Sequence, residues 1–273
     1  MIKFEKYTNK PNTISKGTLY VTDVQIPGID INKKRKIRVY LPSDYNNERK
    51  YPVLYMMDGQ NLFDKHTSFM GEWGVDEVIE ERIDNNKESF IVVGIDSSPD
   101  LLRVEEMLPD NNNLTDVDEM PNELRALASI QADWIVKELK PEIDLIFNTL
   151  KDKDNTCIWG SSMGGLFAFY MGFKYPNIFG ISSCFSPAFC LYDETIFKNN
   201  INKLKLSDGN KVYLLVGNIE YEHQFISLTK YTYEFLKEKG LQNLRYILDE
   251  EGIHHESFWN KYVNDVLDFI VNK

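Results

Sequence analysis

The chain has 273 residues, 42% hydrophobic and 13% aromatic, and a formal net charge of −11. That length suits one α/β domain of roughly 250 residues around a single sheet, and no linker, hinge or internal repeat interrupts residues 1–273, so one domain is expected. The acidic balance argues against nucleic acid and anionic membrane surfaces as partners, because both reward basic patches.

In chain order, Met1 to Lys10 lack the apolar stretch of a secretory signal. No later run approaches the ~20 apolar residues a membrane helix needs, so a cytoplasmic protein is expected. Segments 19–26 and 35–41 alternate apolar and polar residues and read as half-exposed antiparallel strands. Residues 52–57 are a continuous apolar run ending at Asp58-Gly59-Gln60; a helical pattern over 73–83 and a buried strand over 90–95 follow. The polar stretch 97–120 reads as a long loop, either functional or simply solvated. Pro121 is placed to open a long amphipathic helix through Leu124, Leu127, Ile130, Trp134 and Ile135. Further strand patterns lie at 181–185, 212–216 and 244–248, with helices around 225–239 and 256–270. This alternation after residue 50 predicts a mostly parallel sheet of about eight strands with helices on both faces. Cys157, Cys184 and Cys190 sit in apolar surroundings without metal-type spacing and read as buried free thiols.

Residues 155–165 carry the strongest local signal. A short apolar strand runs into Gly160-Ser161-Ser162-Met163-Gly164, and an apolar helix follows. A serine oxygen stands clear of a sheet only on a tight strand-to-helix turn without neighbouring side chains, which is the reason for the glycines of a G-x-S-x-G elbow. Glycines at 160, 164 and 165 do not fit the G-x-G-x-x-G of a dinucleotide loop. Ser162 is therefore the candidate nucleophile.

A serine hydroxyl needs a histidine base, and that base needs a carboxylate to fix its tautomer. Of four histidines, only His254 and His255 follow the last strand pattern, as the order serine, acid, histidine requires; His66 precedes the elbow and His223 opens a helical pattern. Glu220, ending the strand pattern after Val216-Gly217, is favoured as the acid, with Asp249, Glu250 and Glu251 as competitors beside the histidines. Adjacent histidines point in different directions, so His254-His255-Glu256 is a poor metal chelate.

With these residues placed, the chain resembles the putative esterase family of α/β-hydrolases from about residue 17 onward. The motifs that carry the resemblance are 51–64, Gly71-Glu72-Trp73-Gly74, 160–165, Ser186-Pro187-Ala188-Phe189, and His254 with Glu256 and Trp259. The family includes feruloyl and acetyl-xylan esterases, siderophore esterases, esterase D and mycolyltransferases. The resemblance implies an α/β-hydrolase fold and makes His254 the base, with His255 replacing the usual asparagine. It places the acid at Glu220 and the oxyanion hole at the backbone N–H groups of Gln60 and Met163. Cys190 stands where relatives carry tryptophan, a position that would matter if it faced the pocket. Arg103 falls where relatives carry an arginine and is expected to be a structural ion-pair member. The expected activity is a serine carboxylesterase working through an acyl-enzyme, without metal or organic cofactor, on a small-molecule ester of carbohydrate-linked, feruloyl or siderophore type. The competing readings are an acyltransferase with the same triad and a non-catalytic binding domain on a hydrolase scaffold.

Overall fold

A computed structural model describes residues 2–29, 34–110, 114, 124–207, 209–220 and 223–272. Its strands are β1 (Glu5–Lys6), β2 (Thr18–Val24), β3 (Arg35–Leu41), β4 (Val53–Met57), β5 (Ile91–Ile95), β6 (Thr156–Ser161), β7 (Ile181–Phe185), β8 (Lys211–Ile219) and β9 (Asn243–Ile253). They form one nine-stranded sheet in the order β1-β2-β3-β5-β4-β6-β7-β8-β9. Pairing is antiparallel from β1 through β3 to β5 and parallel from β5 to β9. All eight strand patterns in the sequence are strands; the ninth, β1, is two residues long and too short to carry a periodicity.

The inner parallel strands β4 and β5 are apolar throughout because both of their faces are covered, whereas β9 at the sheet edge is polar and partly exposed. In β4, Val53, Tyr55 and Met57 join one core while Leu54 and Met56 join the other. The second core is closed by α1 (Val75–Asp84), α8 (Glu256–Asn260) and α9 (Val263–Val271). The first is closed by α2 (Leu101–Met107), α3 (Ala128–Trp134), α4 (Lys140–Ile146), α5 (Met163–Lys174), α6 (Glu194–Ile201) and α7 (His223–Glu238).

Four expectations need correction. β3 is buried almost throughout rather than half-exposed, because it sits inside the sheet beside β5 and packs on both faces. The polar stretch 97–120 contains a helix, α2, with Leu102, Glu105, Glu106 and Met107 buried. The helix expected from Pro121 begins at Ala128; Pro121 lies outside the described residues, and Leu124 and Leu127 are buried ahead of the helix. A π turn over Ile135–Leu139 joins α3 to α4 where Pro141 has no N–H to give the preceding turn. Finally, the helix expected over 256–270 breaks into α8 and α9 around Lys261 and Tyr262, where the Tyr262 hydroxyl donates to Asp249.

Candidate active site

The elbow forms where β6 turns into α5. Ser162 lies at φ 55° and ψ −120°, a region that L-residues avoid, at a cost of about 1–3 kcal/mol that surrounding bonds must offset. Those bonds are present: Ser162 N–H donates to Phe185 O at 2.9 Å, and Ser162 O accepts from Leu166 N and Ala188 N, each at 3.0 Å. The glycine requirement is steric, since a Cβ on Gly160 would lie 2.4 Å from the Gly164 carbonyl carbon. Beneath the turn, Trp159 packs against Phe185 and Trp73 with ring centroids 5.2 and 5.6 Å away. Such pairs contribute ~0.5–1.5 kcal/mol each beyond area burial. Met163, the first residue of α5, has no intrahelical acceptor for its N–H.

β8 and β9 deliver the other two groups. Their register slips between Gly217 and Ile219, and a Cβ on Gly217 would lie 2.4 Å from the Gly252 carbonyl carbon, so the strands approach too closely for side chains there. Past that point come Glu220 and His254. Glu220 Oε2 lies 2.5 Å from His254 Nδ1, with the Glu220 side chain 0% exposed. Glu220 Oε1 accepts from Gly217 N at 3.0 Å and from Ser186 Oγ. A carboxylate on Nδ1 makes that nitrogen the N–H and leaves Nε2 as the basic atom. The imidazole is flanked by Phe225 and Trp259, each centroid 5.1 Å away.

The competing groups are engaged elsewhere. Asp249 accepts from Tyr262 Oη at 2.7 Å and from Glu251 N at 2.8 Å, and Glu250 accepts from Asn218 Nδ2 at 2.7 Å. His255 caps α8, its Nδ1 accepting from Ser257 N at 3.0 Å while Nε2 lies 3.2 Å from Met70 O. His66 and His223 are exposed.

Ser162 and His254 line one cleft of about 730 Å3, together with Ser161, Gln60, Glu256 and Trp259. Gln60 sits in a short 3-10 turn, Gly59–Asn61, whose two bonds run from Asn61 N to Asp58 O and from Leu62 N to Gly59 O, leaving the Gln60 N–H outside that pairing. Its side chain is tied back to Ser97, donating to Oγ and accepting from N, both at 3.0 Å. Asp58, at φ 55°, starts the turn. Arg103 from α2 grips Asp58 with two bonds of 2.7 Å. Burial pushes the Asp58 carboxyl up, but the Arg103 guanidinium outweighs it and holds the carboxyl below its ordinary range. Burial lifts Glu256, which accepts from Asn61 Nδ2 at 3.0 Å.

Arg103 is thus an ion-pair member, as expected, but it also lines the cleft. The apolar spacing of Leu101, Val104, Met107 and Leu108 was the signal that α2 would carry it there. Cys190 is buried in the first core and is not part of the cleft lining. All three cysteines are buried and unbridged.

Among the described residues, one group of acids could share a cation: Glu72, Asp76 and Glu77 offer oxygens within 4.8 Å of one another, outside the cleft lining. His254 and His255 belong to no such group. No helix among the described residues is long and apolar enough to cross a membrane.

Residues 29–261 match the putative esterase family. The chain is similar to the uncharacterized protein YbbA of Bacillus subtilis (strain 168), 21% identical over 249 residues, which are 88% of this chain and 93% of that protein. Among solved structures it is similar to the BES protein from Bacillus cereus, with a TM-score of 0.72 and 19% identity, covering 98% of this chain and 100% of that one. It is also similar to the siderophore hydrolase EstA from Aspergillus nidulans, with a TM-score of 0.70 and 17% identity over 92% of this chain and 93% of that one. With the family matched over most of its length and the sheet, elbow and strand order in place, the chain belongs to the putative esterase family of α/β-hydrolases and is a hydrolase acting on ester bonds.

Proposed function

We propose that the protein is a serine carboxylesterase working through an acyl-enzyme, with Ser162 as nucleophile, His254 as general base and Glu220 as the orienting acid. The single observation that carries this reading is the buried Glu220 Oε2 at 2.5 Å from His254 Nδ1, beside a cleft that Ser162 and His254 both line. Ser162 Oγ attacks the ester carbonyl while His254 Nε2 takes its proton, and Glu220 stabilises the imidazolium. The tetrahedral oxyanion is met by the N–H groups of Met163 and Gln60, and the α5 dipole adds favourable potential at Met163. His254 then gives its proton to the leaving alcohol, water attacks the acyl-enzyme with the same base, and the acid departs.

The substrate proposed is a small-molecule ester. The resemblance of the fold to a siderophore hydrolase supports including siderophore esters among the candidates, alongside feruloyl and carbohydrate-linked esters. The test is turnover of acetyl, butyryl, feruloyl and siderophore esters by wild type and Ser162→Ala, with products identified in the presence and absence of an acceptor alcohol. Free acid should accumulate with wild type alone and fall by about 10³-fold or more in the variant. Equal rates for the two proteins would sink the reading.

A further inference from the structure

The Glu220 side chain is fully covered, and among the described residues His254 is its only ion-pair partner. Three donors reach its carboxyl group: His254 Nδ1–H, Gly217 N–H and Ser186 Oγ–H. The third donor has its direction imposed from outside. Trp259 Nε1 lies 3.0 Å from Ser186 Oγ, and an indole N–H can only donate. Ser186 Oγ therefore accepts from Trp259 and directs its own proton to Glu220 Oε1.

We propose that Ser186 and Trp259 are positioning residues of the reaction, a one-way hydrogen-bond chain that keeps Glu220 aimed at His254. This rests on the roles proposed above for Ser162, His254 and Glu220. Ser186 is fully buried and held at φ 41°, with its N–H donating to Leu215 O at 2.6 Å. The flanking residues Phe185 and Ala188 bond the backbone of Ser162. One short segment, 185–188, thus fixes both the backbone of the nucleophile and the carboxylate of the acid. Trp259 acts at a second point as well, since its ring packs edge-on against His254. Each bond in the chain polarises the next, which strengthens the donor that reaches the carboxylate.

The test compares Ser186→Ala, Ser186→Gly, Trp259→Phe and the double variant Ser186→Ala/Trp259→Phe on an activated acetate ester, each first shown to be folded by circular dichroism and thermal melting. Both Ser186 variants should lose about ten- to a hundred-fold in kcat with KM nearly unchanged, the scale of a hydrogen bond to a charged group. Trp259→Phe should lose less, and adding it to Ser186→Ala should change kcat by no more than about two-fold, because the chain is already cut. Recovery of activity in Ser186→Gly would assign the effect to the backbone at positive φ and overturn the proposal. Wild-type kcat in Ser186→Ala, or losses that multiply in the double variant, would overturn it too. An inactive wild-type enzyme, or an unimpaired Ser162→Ala control, would overturn the esterase roles beneath it instead.

Discussion

His254 and His255 are neighbours in the chain with opposite surroundings. His254 sits between two aromatic rings with Nδ1 on a buried carboxylate, whereas His255 caps a helix and touches the carbonyl of Met70. His254→Ala should be nearly inactive. His255→Ala should keep most of its kcat and lose stability instead, about 1 kcal/mol for a lost cap. Kinetics and thermal melts of the two variants check this, and reversed results would move the base to His255. A matching contrast separates the acids. Glu220→Gln removes the carboxylate proposed to stabilise the imidazolium and should cost orders of magnitude in kcat. Asp249→Asn disturbs bonds to Tyr262 and Glu251, away from His254, and should cost little, whereas a large loss in that variant alone would transfer the role.

The turn at Gly59–Asn61 offers a test at the scale of an element. Its shape is held by backbone bonds and by Thr67 Oγ1 donating to Gln60 O at 2.7 Å, while the Gln60 side chain serves Ser97. Gln60→Ala should keep kcat within about ten-fold of wild type. A loss of ~10²–10³, the effect of deleting an oxyanion donor, would mean that the side chain carries the role. The strands were legible in the sequence because a strand buried on both faces leaves a continuous apolar run, as in residues 53–57 and 91–95. The elbow turn was legible because its glycines are demanded by local sterics, and the position of Glu220 because it directly follows β8. α2 was missed because its seven residues lie inside a long stretch rich in acids and asparagines, and three of its charged side chains find ionic partners in Asp58, Arg125 and Arg35. The break between α8 and α9 depends on a tertiary bond from Tyr262 to Asp249, which no periodicity reveals. Ser186 and Trp259 were visible as motif residues, but their bond joins positions 73 apart and exists only in the fold.

At the scale of the whole molecule, an acidic chain has to manage carboxylates that folding takes out of water. Asp76 is fully buried; one oxygen accepts from Ser15 N at 2.7 Å and the other has no hydrogen-bond partner. Burial pushes this carboxyl up to about 9 from an ordinary 3.8, with Glu77 adding to the rise. The folded state therefore holds this proton more tightly than the unfolded state does. The resulting stability is complete below pH 3.8 and is lost as pH climbs toward about 9. Asp76→Asn keeps a neutral group there at every pH. Its melting temperature at pH 8 should exceed that of wild type by a few degrees, about 2–4 °C, with a flatter profile between roughly pH 5 and 9. A lower melting temperature at pH 8 would contradict this account.

The central claim is that Ser162 is an activated nucleophile, and it is tested most directly by reaction with a fluorophosphonate probe followed by peptide mapping. One adduct per chain is predicted, on Ser162, absent from Ser162→Ala and formed far more slowly in His254→Ala. An adduct on Ser161 or elsewhere, or no adduct on a protein that turns over esters, would contradict it.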